Sequence, residues 1–492
     1  MTDLTHVELR AGAYADSVTL LQVSRTVQGI EGVSAAQVAM ATALNVEVLT
    51  QMGFEVPSDV DPNAMVVALR LDEESALERA LAGVDQALRD ASRRDAGPSE
   101  VAPPRTTAAA LRGSTDGIAL VSVPGASALV EAMDALDAGR DVMVFSDNVP
   151  LDQELALKRT AAERGLLVMG PDCGTAVVGG LGLGFANTVS PGPVGLVAAS
   201  GTGCQQLLAL LDHAGVGVTS ALGVGGRDLS ADVRGLSTRE ALRRLDADPA
   251  VELVVVVSKP PADDVAAEIR EYAATLGTPV ELALLGGGQP DLTAAAEAVL
   301  RRLGNDVPTW PVCGEAAPAE SGTALRGLFV GGTLCDEAML IATETLGPVH
   351  SNIPFSPELA LGPDLAAPAD GAGHTMVDFG DDALTAGRAH PMIDPTLRLE
   401  HLARVAADER TAVVLLDVVL GHGSEPDPAA ALAPAIAAVS QPVVVAVVGT
   451  DADPQGLERQ VRALVGAGAE VHLSNARATR RAIEILDSRK GQ

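Results

Sequence analysis

Over most of this chain, short apolar runs of Val, Leu and Ala alternate with segments of helical periodicity, and only short loops separate them. Strands are predicted at 117–123, 141–146 and 166–169, with helices at 126–138 and 151–164. The beat continues with strands at 195–199, 220–224 and 253–258 and helices at 202–213 and 238–246. A last series has strands at 327–330, 411–417, 442–448 and 470–473. Val254, Val255, Val256 and Val257 stand in a row, as expected of a strand covered on both faces. Such alternation predicts α/β architecture, with doubly wound parallel sheets between helical layers. Residues 1–95 read differently. Strands at 7–10 and 65–71 and helices at 16–28 and 73–88 predict a small ferredoxin-like α+β unit of βαββαβ type.

Proline-rich stretches divide the chain. One runs from 91 to 108 and holds Pro98, Pro103 and Pro104; another runs from 305 to 322 and holds Pro308, Pro311 and Pro318. The expected domains are therefore 1–95, 109–190, 191–305 and 323–492. Composition narrows the function classes. Acidic residues number 65 against 34 basic ones, for a formal charge of -31. Nucleic acid and anionic membrane surfaces are excluded as partners, since both demand a basic face. No apolar run approaches the length of a membrane span, and the start lacks a leader pattern, so a cytoplasmic location is expected. Cys173, Cys204, Cys313 and Cys335 have neither disulfide-scaffold nor metal-ligand spacing, and no metal is expected.

One motif occurs twice. Ala199-Ser200-Gly201-Thr202-Gly203-Cys204 ends one strand and opens a helix, and Val330-Gly331-Gly332-Thr333-Leu334-Cys335 does the same further on. A helix N-terminus carries unpaired N–H groups and partial positive charge, so Ser200, Gly201, Thr202 and Gly331, Gly332, Thr333 are candidate phosphate-binding residues. For either copy alone, a plain helix cap is the simpler reading. Two copies facing each other would suit one phosphate. Gly170-Pro171-Asp172-Cys173 and Gly223-Val224-Gly225-Gly226-Arg227 are further strand-end loops, so Asp172, Cys173, Gly225, Gly226 and Arg227 are candidate substrate contacts. Near 378–395, Asp378, Asp381, Asp382, Arg388, His390 and Asp394 gather charge in a Gly- and Pro-punctuated loop. An ordinary solvated loop and a catalytic loop are both compatible with that pattern. His390, Arg388 and Asp394 are its catalytic candidates, with His422 ranked below His390.

The succession Gly170-Pro171-Asp172-Cys173, Ser200-Gly201-Thr202, Gly223-Val224-Gly225-Gly226 resembles the α-subunit of succinyl-CoA synthetase and the ADP-forming acyl-CoA synthetases. Within that superfamily the chain resembles the FdrA family, through its leading small domain, Gly331-Gly332-Thr333-Leu334-Cys335 and the stretch from Asp378 to Pro395. The resemblance implies a CoA-binding-like Rossmann domain followed by two flavodoxin-like ligase-type domains. It also implies a subunit of oxamate carbamoyltransferase, which moves the carbamoyl group of oxalurate to phosphate and yields oxamate and carbamoyl phosphate. The synthetases' phosphorylated His has no counterpart in Leu285-Gly286-Gly287-Gly288-Gln289, and no length remains for an ATP-grasp domain. No cofactor is then required, with phosphate as a substrate. CoA or a nucleotide enters only under the alternative of an acyl-CoA synthetase. A non-catalytic scaffold subunit is the other alternative. The expected partners are small anions and either copies of the chain or other catabolic subunits.

Overall fold

A computed structural model describes residues 4–490 except 12, 14, 16, 58, 59, 62, 96–103, 114–116, 367–372 and 386–388. The chain divides into one compact unit up to Arg105 and a second made of Thr106–Thr385 and the residues from His390 onward. The first unit contains β1 (Leu4–Arg10), α1 (Ser17–Gln28), β2 (Val33–Met40), α2 (Ala43–Gln51), β3 (Met65–Leu71) and α3 (Ala76–Asp95). Its antiparallel sheet has the order β1-β3-β2. Strand periodicity decides which face each residue of β3 covers. Val67, Leu69 and Leu71 pack with Val23 and Val27 of α1 and Ala80 and Val84 of α3. Val66 and Ala68 pack with Leu49 and Phe54 on the opposite face. This is the ferredoxin-like order without a fourth strand among the described residues; residues 96–103, after α3, lie outside them.

The second unit starts with α4 (Thr107–Leu111), β4 (Ile118–Val121), α5 (Gly125–Asp137), β5 (Asp141–Val144), α6 (Leu151–Arg164) and β6 (Val168–Met169). These strands form a parallel sheet of their own in the order β4-β5-β6. The chain then enters a six-stranded sheet by a hairpin, β7 (Thr175–Val178) and β8 (Leu181–Gly184). The sheet boundary thus falls at 170–174, earlier than the expected division at residue 190. The hairpin escaped the sequence reading because its strands are four residues each and its turn, Gly179-Gly180, looks like any loop. There follow β9 (Val194–Ala199), α7 (Gly201–His213), β10 (Val218–Gly223), α8 (Leu236–Asp246), β11 (Leu253–Ser258), α9 (Asp263–Ala273), β12 (Val280–Leu284) and α10 (Leu292–Arg302). The sheet order is β12-β11-β9-β10-β7-β8. β9 to β12 are parallel, and β7 joins β10 antiparallel.

A seven-stranded sheet completes the unit: β13 (Val312–Cys313), β14 (Ala324–Phe329), α11 (Gly332–Leu346), β15 (Val349–Ser351), β16 (His374–Asp378), α12 (Asp382–Thr385), α13 (Thr396–Ala407), β17 (Thr411–Val419), α14 (Pro428–Ala437), β18 (Val443–Val448), α15 (Leu457–Gly466), β19 (Glu470–His472) and α16 (Asn475–Lys490). Its order is β13-β19-β18-β17-β14-β16-β15. Only β13 runs antiparallel to its neighbour. A continuous apolar core joins the two large sheets through Leu207, Leu208 and Leu211 of α7, Leu334 and Ala338 of α11, and Ala482 and Leu486 of α16. Leu and Ala supply this packing because close helix contacts favour small and unbranched side chains.

Lys158 ties the small parallel sheet to its neighbour. Its Nζ lies 2.7 Å from Asp228 Oδ1, 2.8 Å from Glu154 Oε1 and 2.9 Å from the carbonyl of Val224. Asp228 also accepts hydrogen bonds from Ser237 N, Thr238 N and Thr238 Oγ1 at the start of α8. Removing the ammonium would leave buried Asp228 without a counter-charge and Glu154 with Arg227 alone, a loss of about 3–5 kcal/mol. Lys158 is therefore committed to the fold. No helix among the described residues is long and apolar enough to cross a membrane.

Candidate functional site

In open α/β sheets, ligands bind where chain connections leave a strand in opposite directions, at the carboxyl ends. β9 is such a strand in one sheet, with β10 on one side and β11 on the other. β14 is its counterpart, between β16 and β17. The helices after them, α7 and α11, start against each other. Ser200 Oγ donates to Thr333 Oγ1 at 2.7 Å and accepts from Gly203 N at 3.0 Å. A Cβ on Gly331 would lie 3.0 Å from Thr202 Cβ, so glycine is needed for this approach.

The three glycine-rich loops converge on the start of α7. Asp172, Cys173, Gly174, Thr175, Ser200, Gly201, Gly225 and Gly226 line a small cleft. Gly225 has a φ of 88°, and a Cβ there would meet the Pro171 carbonyl at 2.4 Å. Arg227 is half exposed and already engaged, with Nε 2.9 Å from Glu154 Oε2 and Nη2 donating to the Val149 carbonyl at 2.7 Å. Cys173 is a packing residue. Burial pushes its thiol up to about 12, and its Sγ faces the Thr175 carbonyl.

The start of α11 differs from that of α7 because a carboxylate of the protein binds the two amides just ahead of it. Asp417, buried on β17, accepts from Val330 N at 2.8 Å and Gly331 N at 2.9 Å. Asp417 is in turn 3.5 Å from Arg398 Nη2, which donates to the Asp417 carbonyl at 2.5 Å. Thr333 is buried, and its hydroxyl serves Ser200.

Between the two helix starts lies Lys259, directly after β11. Its Nζ is 3.0 Å from where a Cβ of Gly332 would stand, and Asp378 Oδ2 is 2.6 Å from the same point. Burial works against this ammonium, but Asp336, Asp378 and Asp172 around it prevail and hold its pKa above the usual lysine value. The carboxyls respond in the opposite sense. Burial raises Asp378 to about 7 and Asp336 to about 6, although Lys259 opposes both shifts. Asp172 keeps contact with solvent at the cleft mouth, yet crowding by surrounding protein, helped by Asp382, raises it to about 7. Near neutral pH these groups are poised to carry protons beside a fixed positive charge.

His390 belongs to the same cluster. A Cβ on Gly380 would lie 2.9 Å from His390 Nε2, 2.9 Å from the Val330 carbonyl and 3.1 Å from Asp378 Oδ1. The imidazole leans on Phe185 at 5.6 Å, and its Nδ1 accepts from Met392 N at 3.2 Å. Burial lowers its pKa to about 4, so the ring is neutral at pH 7. Arg388 lies outside the described residues. Asp394 is exposed at the start of α13, where its Oδ1 accepts from Thr396 N and Thr396 Oγ1. It is a helix-start residue, and the catalytic role expected for it has no geometric support. His422 is exposed, with Nε2 3.2 Å from Thr188 Oγ1.

Lys259 and Asp417 escaped the sequence reading. Lys259 sits in Ser258-Lys259-Pro260-Pro261, without a glycine motif. Its signal was present all the same: the chain has three lysines, and this one ends its most apolar strand. Asp417 lies inside a predicted strand, where its pairing with a distant helix start has no local signature.

The family model described as CoA-ligase matches residues 328–485, and the one described as AllF, heavy metal-associated domain, matches residues 1–104. Residues 1–104 contain no cysteine. Among the described residues no three His, Cys, Asp or Glu side chains converge as metal ligands, so the donor set does not fit a bound heavy metal there. The succinate–CoA ligase [ADP-forming] subunit alpha 2 of Archaeoglobus fulgidus is 32% identical over 33% of this chain and 58% of its own length. The dinucleotide forming acetyl-coenzyme A synthetase 1 of Ca. Korarchaeum cryptofilum, solved with phosphate and ADP, is 15% identical over 80% of this chain and 88% of that one, with a TM-score of 0.31. YahF of Escherichia coli (strain K12) is 36% identical over 94% of this chain and 95% of its own length. With that near-full-length match, the chain belongs to the FdrA family, which it shares with YahF, within the superfamily of succinyl-CoA synthetase α-subunits.

Proposed function

We propose that the chain is a subunit of an enzyme that transfers a carbamoyl group between a small amide-type donor and phosphate, as in oxalurate plus phosphate giving oxamate plus carbamoyl phosphate. The observation that supports this reading is Lys259, an ammonium held at the start of α11, where that helix meets α7, and close enough to Asp172 of the glycine-lined cleft to act on its charge. A fixed cation and the helix N–H groups suit a phosphate dianion. In the reaction a phosphate oxygen attacks the carbamoyl carbon, and the C–N bond to the oxamate nitrogen breaks. That nitrogen takes up a proton. Asp378 and Asp172, with pKa values of about 7, are suited to donate it. The same cation and helix dipoles stabilise the oxyanion of the tetrahedral intermediate.

The allantoin-related family model over residues 1–104 supports the same substrate class. No histidine lies in the Gly286–Gln289 turn, which supports a route without a phosphohistidine. Copies of the chain or companion subunits complete the active assembly in this reading. The test is phosphate-dependent release of oxamate from oxalurate by the full chain, with companion subunits co-expressed, in the absence of CoA and ATP. Acyl-CoA formation with ATP, together with no reaction between carbamoyl phosphate and oxamate, would replace the reading with acyl-CoA ligation.

A further inference from the structure

A second recess has Val330, the residue before the cap of α11, in its lining. Its walls are mainly apolar: Val330, Pro391, Met392, Val418, Val419 and Leu432. Two ionisable residues line it, Arg398 and Glu425. Arg398 is only 3% exposed, and its Nε has no hydrogen-bond partner among the described residues. One edge of the guanidinium is committed, through Nη2, to Asp417. A buried donor left unpaired is costly, and guanidinium groups recognise carboxylates through two parallel N–H bonds. Ser424 Oγ, next along the chain from Glu425, is a further buried polar atom without a partner.

We propose that Arg398 holds the carboxylate of a small monocarboxylic acid amide in this recess, with Pro391 and Met392 forming part of its wall. The inference rests on the transfer reading above and names the group that secures its carboxylate-bearing substrate. Its place fits that role. Val330 lines the cavity and immediately precedes Gly331, the cap of α11, and its carbonyl faces the same Gly380 position as His390 Nε2. Arg227, the carboxylate clamp suggested by sequence, is instead tied to Glu154 and Val149. The compact apolar walls favour a short acid over a dicarboxylate or a nucleotide.

The test is calorimetric titration of the full chain with oxamate and, separately, with inorganic phosphate. Arg398→Gln should weaken oxamate binding at least 10-fold and leave phosphate binding within twofold. Met392→Trp fills the cavity without touching the Arg398–Asp417 pair and should weaken oxamate equally; it decides the matter if Arg398→Gln fails to fold. Lys259→Met should show the reverse selectivity. Oxamate affinity unchanged in Met392→Trp, or no oxamate binding by a chain that supports carbamoyl transfer, would overturn the inference and leave the transfer reading standing. Oxamate binding lost in both cavity variants, with no phosphate-dependent transfer by the complete assembly, would sustain the cavity and overturn the reading.

Discussion

The starts of α7 and α11 carry the same Gly-Thr-x-Cys sequence after a buried parallel strand, yet their surroundings differ. α7 has a serine cap, opens onto the glycine-lined cleft, and leaves Gly201 exposed. α11 has a glycine cap, a buried threonine and an aspartate from β17 on its entering N–H groups. A helix start attracts negative charge whether it comes from a ligand or from the chain. At α11 the chain supplies that charge just ahead of the helix; at α7 Ser200 and Gly201 face the cleft. A repeated motif therefore marks two equivalent geometries and two different tasks.

Replacing the aspartate ahead of α11 should have the largest effect. Asp417→Ala would strip Arg398 of its buried counter-charge and cost about 3–5 kcal/mol of stability. Ser200→Ala removes the cap of α7 and the hydrogen bond to Thr333 Oγ1, and should cost about 1–2 kcal/mol. Urea unfolding of the two variants measures the contrast. Equal losses would mean that Asp417 is no more than another cap.

The ionisable groups near α11 sharpen the comparison through pH. Asp378 has a folded pKa of about 7, above that of the unfolded chain, so its burial destabilises the fold progressively as pH rises from about 4 to 7. Asp378→Asn should therefore gain stability relative to the parent between pH 5 and 8, on the order of a few kcal/mol. His390 has the opposite sign. Its folded pKa of about 4 lies below the unfolded value, so its contribution is intact above pH 6.5 and is lost as pH falls to 4. His390→Gln should gain relative stability in acid and change little above pH 7. Thermal unfolding across this range checks both. Parallel difference curves would contradict the assignments.

The parts of this molecule that could be read in the sequence are those with local signatures. Val254–Val257 announced a central strand, and the strand–helix beat announced parallel sheets. Ser200-Gly201 and Gly225-Gly226 announced loops that line the cleft, because close approach of backbone segments requires glycine at fixed positions. Three-dimensional partners left no such trace. The Arg398–Asp417 pair spans two elements whose own patterns are merely a helix and a strand. Lys259 is a single residue, and its meaning depends on a helix more than seventy residues away. Asp394 misled for the converse reason: an Asp before Pro and Thr at a helix start satisfies local hydrogen bonding while its sequence neighbours, Pro391 and Met392, line a cavity.

At the junction itself, Lys259→Met should weaken phosphate binding by about 10- to 100-fold, the range expected when a hydrogen bond to a charged group is lost. The stability of the variant should also fall, since the buried carboxyls of Asp378 and Asp336 would lose the positive charge that opposes their raised pKa. Calorimetry with phosphate measures the first and urea unfolding the second. A variant with normal phosphate affinity would place the anion elsewhere in the cleft, at the start of α7 alone.

The smallest effect should come from Thr333→Val, and it separates the two helix starts most finely. Thr333 is buried, and valine differs from it chiefly by the missing hydroxyl. What is lost is the acceptor for the Ser200 hydroxyl, while Gly203 N continues to donate to Ser200 Oγ. The cost in stability should be about 1 kcal/mol. If Asp417 supplies the charge ahead of α11, phosphate affinity should stay within twofold. Thr202→Val, at the half-buried second position of α7, should instead reduce it several-fold. A single phosphate shared equally by both hydroxyls would make the two substitutions equivalent, and the double variant would then lose little beyond either one.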